Sequence, residues 1–249
     1  MMLKLKIKKN GSYLNITGTP SKYQLVSATG LNPPVANISV SEMATSDGGT
    51  FNLARVQSRN IVLQIQPLGN LETRRSELYG YLSPKSAITV DVQTDSRHVE
   101  IDGYVESLEI DYNAIPQIIQ VSIICPDPYF KAIAAVTATG SSVTNPSDIE
   151  QGAVFTFSIT SSRNNIWLYN YGTYQGFAVK NLDMVSGDTL VIDTRQGQKS
   201  VRLNGTNVMQ YVSLDNPTSK WVQLKPGLNS LEIQPSGLST SFYPLYMGV

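Results

Sequence analysis

Short segments in which apolar and polar residues alternate run along nearly the whole chain, with Gly, Pro and Asn between them. The clearest begins at residue 3, where leucine and isoleucine alternate with Lys4, Lys6 and Lys8. A period of two residues is that of a half-buried β-strand, because successive side chains point to opposite faces of a sheet. The pattern therefore predicts a mainly β fold. We interpret the lysines as a solvated face that discourages edge-to-edge aggregation, with a nucleic-acid contact as the alternative.

One segment of the first half has helical rather than strand-like spacing. Asn70 is a candidate N-cap, and Pro84 is a stop signal. Between them, Leu71, Leu78 and Leu82 recur on one side of a helix. The strand-like segments around this helix include residues 35–42, 50–57, 59–67 and 86–94. Ser46–Gly49, between the first two, reads as a β-turn because its paired glycines permit positive φ.

Residues 97–112 predict a long, bent strand. Apolar residues hold odd positions as far as Val105 and even positions from Leu108 onward. Such a change of phase near Glu106 and Ser107 predicts a bulge or a sharp bend. Bent strands of this length favour barrels and extended hairpins.

The second half predicts a β-sandwich. The run VTATGSSVTNPSD (136–148) indicates a crossing into a second unit, and a chain of 249 residues is long enough for two domains. From Ala153 onward, seven short strand-like segments alternate with turn residues. Among them, GDTLVIDTRQGQKSVRLNG (187–205) is interpreted as a hairpin, with Arg195 and Lys199 as exposed charges at its turn.

Composition argues against several functional classes. The chain has 19 basic and 19 acidic residues, so a general nucleic-acid or membrane-surface binder is not expected. His98 and Cys125 are the only histidine and cysteine, which leaves no multi-cysteine metal site and little for nucleophile–base catalysis. We expect His98 to lie at the surface and Cys125 to be a small buried hydrophobe. No cofactor, metal, membrane span or export signal is expected, and the protein is expected to fold in a reducing cytoplasm.

A dense set of carboxylates follows His98 along the bent strand. Its members are Glu100, Asp102, Glu106, Glu109 and Asp111. A glycosidase needs only two facing carboxylates, so the set is the best candidate for catalysis in the chain. The polar faces of strands are commonly acidic, however, and we do not expect an enzyme.

Several segments resemble one known family. GDTLVIDTRQGQKSVRLNG and WVQLKPGLNSLEI resemble the C-terminal domain of the distal tail proteins of long, non-contractile-tailed bacteriophages. RNIVLQIQ, ETRRSELYGYLSPKS and VEIDGYVESLEIDYNAIPQIIQVSIICPDPYF resemble the N-terminal domain of the same family. The similarity extends over nearly the whole chain, in the same order.

This resemblance implies a fold and a role. Residues 1–132 would form a split β-barrel domain with one short helix and an extended hairpin, and six copies of it would form a ring. Residues 133–249 would form a galectin-like β-sandwich that projects outward. The ring would be the baseplate hub at the tail tip of the virion. It would join the tail tube protein to the tail-tip or tail-associated lysin protein, carry receptor-binding proteins outside, and leave a channel for DNA in transit.

Two further expectations depend on the resemblance. Some of the five carboxylates, at least two of them, are expected to face the passage of the ring, since a basic wall would bind DNA through counterion release. A solvated outer face is the equal alternative. The alternative function is a carbohydrate-binding accessory module for host adhesion. Galectins bind sugars with a histidine, and none follows His98, so Trp167 and Trp221 are expected to be core or packing residues.

Overall fold

The chain divides into two compact units. The computed structural model describes residues 3–18, 22–44, 47–213, 220–234 and 237–249. Unit 1 comprises Met1–Ile133 together with Tyr246–Val249, and unit 2 comprises Ala134–Leu245. The sequence-based division kept residues 133–249 together and was wrong about the last four. These four return to unit 1, where Arg59 donates a hydrogen bond to the carbonyl oxygen of Met247 and Arg97 donates one to that of Gly248.

The secondary structure is almost entirely β. The elements up to residue 132 are β1 Lys4–Lys9, β2 Ser12–Asn15, β3 Tyr23–Thr29, β4 Ala36–Glu42, β5 Gly49–Val56, β6 Arg59–Pro67, α1 Leu71–Leu82, β7 Ala87–Gln93, β8 His98–Ile110, β9 Ile119–Cys125 and β10 Phe130–Ala132. The later elements are β11 Val136–Thr139, β12 Ser142–Asn145, β13 Gln151–Gly152, β14 Val154–Ser158, β15 Ile166–Asn170, β16 Gln175–Val179, β17 Thr189–Asp193, β18 Ser200–Leu203, β19 Thr206–Asn207, a 3₁₀ turn Met209–Tyr211, β20 Val212–Ser213, β21 Gln223–Leu224, β22 Gly227–Gln234, β23 Leu238–Phe242 and β24 Leu245–Tyr246. None of the helices among the described residues is long and apolar enough to span a membrane.

Unit 1 is built on one large sheet. Its strands follow the order β2-β1-β7-β8-β9-β6-β3, with β10 beside β8 and β24 beside β10. One face of this sheet forms the core, together with Leu78 and Leu82 of α1. The described residues show no ladder between β2 and β3, the two ends of the path, so closure into a split barrel stays a prediction.

The N-terminal strand lies inside this sheet rather than at its edge. β1 pairs with β2 on one side and with β7 on the other. Leu5 and Ile7 are fully buried, whereas the lysines point to the opposite face. The alternation therefore predicted the faces correctly. It does not reveal that β1 has a neighbour on each side, since a period of two residues carries no information about neighbouring strands.

The single α-helix begins and ends where the sequence indicates. The backbone N–H of Thr73 donates to Oδ1 of Asn70 at 3.1 Å, which satisfies one of the free N–H groups of the first turn. Ser83 leaves the helix with an extended conformation, as expected for a residue that precedes proline. Leu78 and Leu82 are buried, but Leu71 is 40% exposed and does not share their face.

The bend predicted in β8 is a β-bulge. The pairing of β8 with β9 shifts register between Val105 and Ser107, so Glu106 is the additional residue. The bulge restores the alternation of faces: Val99 and Ile101 before it and Leu108 and Ile110 after it all pack toward the core.

Unit 2 is a two-sheet β-sandwich, as the sequence predicts. One sheet has the order β11-β23-β14-β17-β18-β19, and the other has the order β12-β22-β15-β16-β20. Both sheets contribute to a single core, with Phe155 and Phe157 from the first and Leu168 and Phe177 from the second. The run 136–148 is not a linker, because it forms β11 and β12, one strand in each sheet.

Candidate assembly surfaces

Strands β4 and β5 form a separate two-stranded hairpin that is exposed along its whole length. We call it the hairpin arm (residues 36–56). Gly48, with φ of +90°, precedes β5 at the turn, and Ser46, part of the predicted turn, lies outside the described residues. Opposite residues in the ladder share a face, and a bulge at Asn52 keeps the two faces chemically distinct.

One face of the hairpin arm is apolar and uncovered. The opposed pairs on this face are Ile38 with Ala54, Val40 with Phe51, and Ala36 with Val56. Ile38, Val40 and Phe51 are 60%, 53% and 62% exposed. The opposite face is mainly polar, and there Nδ2 of Asn52 donates to Oγ of Ser41 at 2.7 Å. The two strands were predicted from the sequence, but this face was not. The alternation of Ile38 and Val40 with serine would have indicated it.

A second apolar surface lies beside α1. A cavity of 620 Å³ opens there, and we call it the α1 groove; its lining is Tyr79, Leu82, Ser83, Pro84, Leu108, Glu109, Ile110 and Tyr112. The hydroxyl oxygens of Tyr79 and Tyr112 are 3.4 Å apart, and the Arg75 guanidinium lies over the Tyr112 ring at 5.2 Å. A neighbouring cavity of 360 Å³ shares Tyr112 and includes Ile115, which is 98% exposed. Unit 1 thus presents two different uncovered apolar surfaces.

The candidate carboxylates of β8 do not converge on one point. Glu100, Asp102, Glu106 and Glu109 are distributed along the polar face of the strand, and Asp111 follows its end. Oε1 of Glu100 lies 2.8 Å from Nζ of Lys131, Asp102 accepts a hydrogen bond from Thr89, and Glu106 accepts one from Ser122. Oδ1 of Asp111 accepts a hydrogen bond from the backbone N–H of Asn113 at 2.9 Å. In the part of the chain that the structure describes, no group of three or more His, Cys, Asp or Glu side chains could hold a metal ion.

The N-terminal lysines share the face that carries these carboxylates. Lys6 lies opposite Asp91 in the pairing of β1 with β7, and Asp91 lies opposite Glu100 in the pairing of β7 with β8. In the adjacent row, Lys8, Thr89 and Asp102 follow one another in the same way. The outward face of the sheet is therefore polar and mixed in charge, rather than acidic or basic alone.

His98 and Cys125 have the simple roles expected of them. Nε2 of His98 lies 3.0 Å from Oδ1 of Asp91, across the β7–β8 pairing, with the histidine side chain 44% exposed. The Cys125 side chain is fully buried, and this burial raises the pKa of its thiol to about 11. A thiol with so high a pKa is a poor nucleophile at neutral pH, because the thiolate is the reactive form.

The glycine-rich stretch 187–205 is a hairpin, β17–β18, as predicted. The two basic residues at its turn, Arg195 and Lys199, have different contacts. Arg195 donates to both oxygens of Asp193, at distances of 2.6 to 3.2 Å, and the Asp193 side chain is only 12% exposed. The expectation that Arg195 is a simple exposed charge was therefore wrong, because the fork of donors covers a nearly buried carboxylate.

Replacing Arg195 by alanine is expected to destabilise unit 2 by about 1–2 kcal/mol, since Asp193 loses a charged partner but keeps a backbone donor. Lys199→Ala is the comparison from the same turn. Its Nζ lies 5.8 Å from the centre of the Trp221 ring, so this substitution should cost less than about 1 kcal/mol. Urea unfolding followed by far-UV circular dichroism measures both. Equal effects of the two substitutions would contradict this account.

Comparison with known proteins gives the chain a family context. Residues 147–246 match the family model SPP1_Dit, the siphovirus-type tail component, C-terminal domain. The Dit protein of phage SPP1, whose crystal structure is described as a paradigm of the hub adsorption apparatus in phages that infect Gram-positive bacteria, matches with a TM-score of 0.75 and 14% identity, over 97% of this chain and 98% of that one. A chain of the phage P2 baseplate in its activated conformation with Ca matches with a TM-score of 0.51 and 11% identity, over 100% of both chains. The search of curated proteins finds no match.

These findings agree with the architecture described above. The family match lies almost wholly within unit 2, and the SPP1 Dit match extends over both units. SPP1 Dit has a galectin-like domain, so the mainly β fold with a galectin-like sandwich is confirmed. The chain therefore has the fold of the SPP1 Dit protein, and residues 147–246 match the C-terminal domain of siphovirus-type tail components.

Proposed function

We propose that six copies of this protein form a ring that is the hub of a phage tail tip. The ring joins the tail tube protein to the tail-tip or tail-associated lysin protein, carries receptor-binding or other baseplate proteins outside, and leaves a channel for DNA. The Dit fold supports this role, as does the description of SPP1 Dit as a hub of an adsorption apparatus. The role is structural and uses no cofactor. The protein is made in the host cytoplasm and incorporated into the virion.

The observation that carries the proposal is the uncovered apolar face of the hairpin arm. A two-stranded hairpin alone is at best marginally stable in water, and it normally packs on a third element. Here the apolar side chains of Ile38, Val40 and Phe51 have no such cover from any residue that the structure describes. Apolar area of this kind marks a protein–protein contact.

The α1 groove supplies a surface of matching character. A closed ring requires a heterologous contact, in which one surface of each copy meets a different surface of the next. The hairpin arm and the α1 groove are two such surfaces on unit 1, both apolar and both uncovered. We propose that the arm of one copy packs on the groove of the next, around the whole ring.

The mixed polar face of the large sheet suits the wall of a DNA passage. A wall made of lysines alone would bind duplex DNA tightly, because every neutralised phosphate releases counterions. On this face, however, Lys6 and Lys8 stand in rows with Asp91, Glu100 and Asp102. We propose that this face lines the channel. The sequence-based expectation is thereby modified, since carboxylates and lysines would line the passage together.

A sixfold ring is expected when the purified chain is imaged by negative-stain electron microscopy at micromolar or higher concentration, alone or with its tube protein. Each contact between copies should bury about 1,000 Å² or more, the size of a stable interface. A reconstruction should place Glu100, Asp102 and the N-terminal lysines toward the sixfold axis. If the chain stays monomeric both alone and with its tube protein, the proposed ring is wrong. If a ring forms with the mixed polar face of the large sheet on its outside, only the proposal that this face lines the channel is wrong.

A further inference from the structure

Unit 2 carries a second kind of uncovered surface, a row of aromatic rings on the outer face of one sheet. Trp167, Tyr169 and Tyr171 occupy alternate positions along and just after β15, and we call them the aromatic ladder. Leu168 and Asn170, which alternate with them, are buried. Trp167 is 44% exposed and Tyr171 is 51% exposed. Both tryptophans were expected to be core or packing residues. Trp167 does not lie in the core, whereas Trp221 packs against Phe177, with ring centroids 5.0 Å apart.

The rings of the ladder are held in place by their neighbours. The rings of Tyr169 and Tyr171 meet edge to face, with centroids 5.1 Å apart. The Tyr171 hydroxyl donates to Oε2 of Glu232 at 2.5 Å, and Nζ of Lys180 lies 5.8 Å from the centre of the Trp167 ring. A preorganised surface loses little side-chain entropy when it binds a ligand.

Hydrogen-bonding groups surround the rings. Glu232 lies directly opposite Tyr169 in the pairing of β15 with β22, and the backbone N–H of Tyr171 donates to the carbonyl oxygen of Ser230. Ser230 in turn lies opposite Ser142 of β12. Hydroxyl and carboxylate oxygens thus lie beside the exposed rings. The rings can contact the C–H groups of a ligand while these oxygens hydrogen-bond to its O–H groups.

We propose that the aromatic ladder is a binding site for a linear carbohydrate chain. Ring faces carry partial negative charge and receive the C–H face of a sugar, while Glu232 and the serine hydroxyls pair with sugar hydroxyls. Residues two apart on a strand are separated by about 6.6 Å along the backbone, so the row from Trp167 to Tyr171 extends over about 13 Å there. Within it, the ring centroids of Tyr169 and Tyr171 are 5.1 Å apart. An extended row of this length suits consecutive sugar units rather than one monosaccharide.

The contrast with the hairpin arm favours a carbohydrate over a protein partner. The arm presents mainly aliphatic side chains, namely Ile38, Val40 and Val56, together with Phe51. The ladder presents aromatic rings with polar atoms beside them, which suits a hydrated ligand. This site does not reproduce the galectin ligand set, since unit 2 has no histidine. It also goes beyond the hub function, because ring assembly does not require it.

The proposal is tested with the full-length chain on an array of linear oligosaccharides and polysaccharides, followed by calorimetry with the tightest oligosaccharide. Trp167→Ala and Tyr169→Ala should each weaken binding at least tenfold, while Trp167→Tyr, which keeps a ring, should retain most of it. Tyr171→Phe, which loses only the hydroxyl, should weaken binding a few-fold. Tyr104→Ala is the matched control: it removes a tyrosine that is 54% exposed in unit 1, and it should bind like the parent chain.

Three results would overturn the proposal: no binding to any glycan of the array, unchanged affinity of the folded Trp167→Ala chain, or a ladder covered by another protein chain in the assembled ring. Circular dichroism of each variant shows whether the fold is intact. A chain whose hairpin arm no longer supports a ring should keep its glycan affinity, so failure of the hub function and failure of this site are distinguishable.

Discussion

Replacing Arg59 by methionine is expected to unfold unit 1. The guanidinium is 4% exposed, and it donates to the carbonyl oxygens of Gly30, Asn32, Pro128 and Met247 at 2.5 to 2.7 Å. It also lies over the ring of Phe130, 4.6 Å from its centre. One side chain thus joins β6 to three other segments of the chain, at residues 30–32, 128 and 247, and burial lowers its pKa.

The expected loss is large because methionine fills the space but donates no hydrogen bond. A hydrogen bond to a charged group contributes about 1.5–3 kcal/mol, and buried acceptors left without donors add to the cost. We therefore expect the free energy of unfolding of unit 1 to fall by at least about 4 kcal/mol, a major part of the 5–15 kcal/mol typical of a domain. Arg59→Lys should also be destabilising, because an ammonium group lacks the planar fork of donors.

Thermal melting followed by far-UV circular dichroism measures this effect. We expect the melting temperature of unit 1 to decrease by about 10 °C or more. Both tryptophans lie in unit 2, so their fluorescence reports on the unit that the substitution should leave folded. Arg55→Met, at an exposed arginine of the hairpin arm, is the matched control and should melt like the parent chain. A decrease below about 3 °C for Arg59→Met would contradict the importance of this contact.

The second large effect is expected from two aspartates on the apolar face of the hairpin arm. Val40 and Phe51 lie directly opposite each other on this face, and both are more than half exposed. The double substitution Val40→Asp/Phe51→Asp should leave the monomer folded, because neither side chain packs on the core. It should weaken each contact between copies about a hundredfold or more, a change of about 2.7 kcal/mol, and so abolish the ring.

The same hairpin provides a closely matched control. Ser41 and Thr50 form the adjacent opposed pair, on the polar face, so Ser41→Asp/Thr50→Asp introduces the same charges one position away. Analytical ultracentrifugation of both variants should show monomers for the first and rings for the second. Loss of rings in both variants would indicate general charge repulsion, and rings in both would remove the hairpin arm from the interface.

Local structure in this chain was largely predictable from the sequence, because local patterns determine it. The cap of α1 needs only Asn70 and the backbone of Thr73, and the bulge in β8 appears as a change of phase that any reader of the sequence can find. Which strands pair with each other is not determined by local patterns in this way. Nothing near β1 indicates that β7, more than eighty residues later, lies beside it.

The functional surfaces were harder to predict, because they depend on which of two similar faces is covered. In β15, both alternating sets contain large apolar residues, with Ile166 and Leu168 on one face and Trp167 and Tyr169 on the other. Periodicity separates the two sets but does not show which set meets the core. Arg59 presents a related problem, since its acceptors lie between 27 and 188 residues away along the chain.

The return of residues 246–249 to unit 1 has a consequence for the order of synthesis. Unit 2 is in effect an insertion within unit 1, so a ribosome completes all of unit 2 before it supplies the segment that Arg59 and Arg97 hold. A nascent chain that ends at Ile133 therefore lacks part of unit 1, the unit that we propose forms the ring. The proposed assembly of six copies thus has little opportunity to begin during translation, and it is delayed until complete subunits are present.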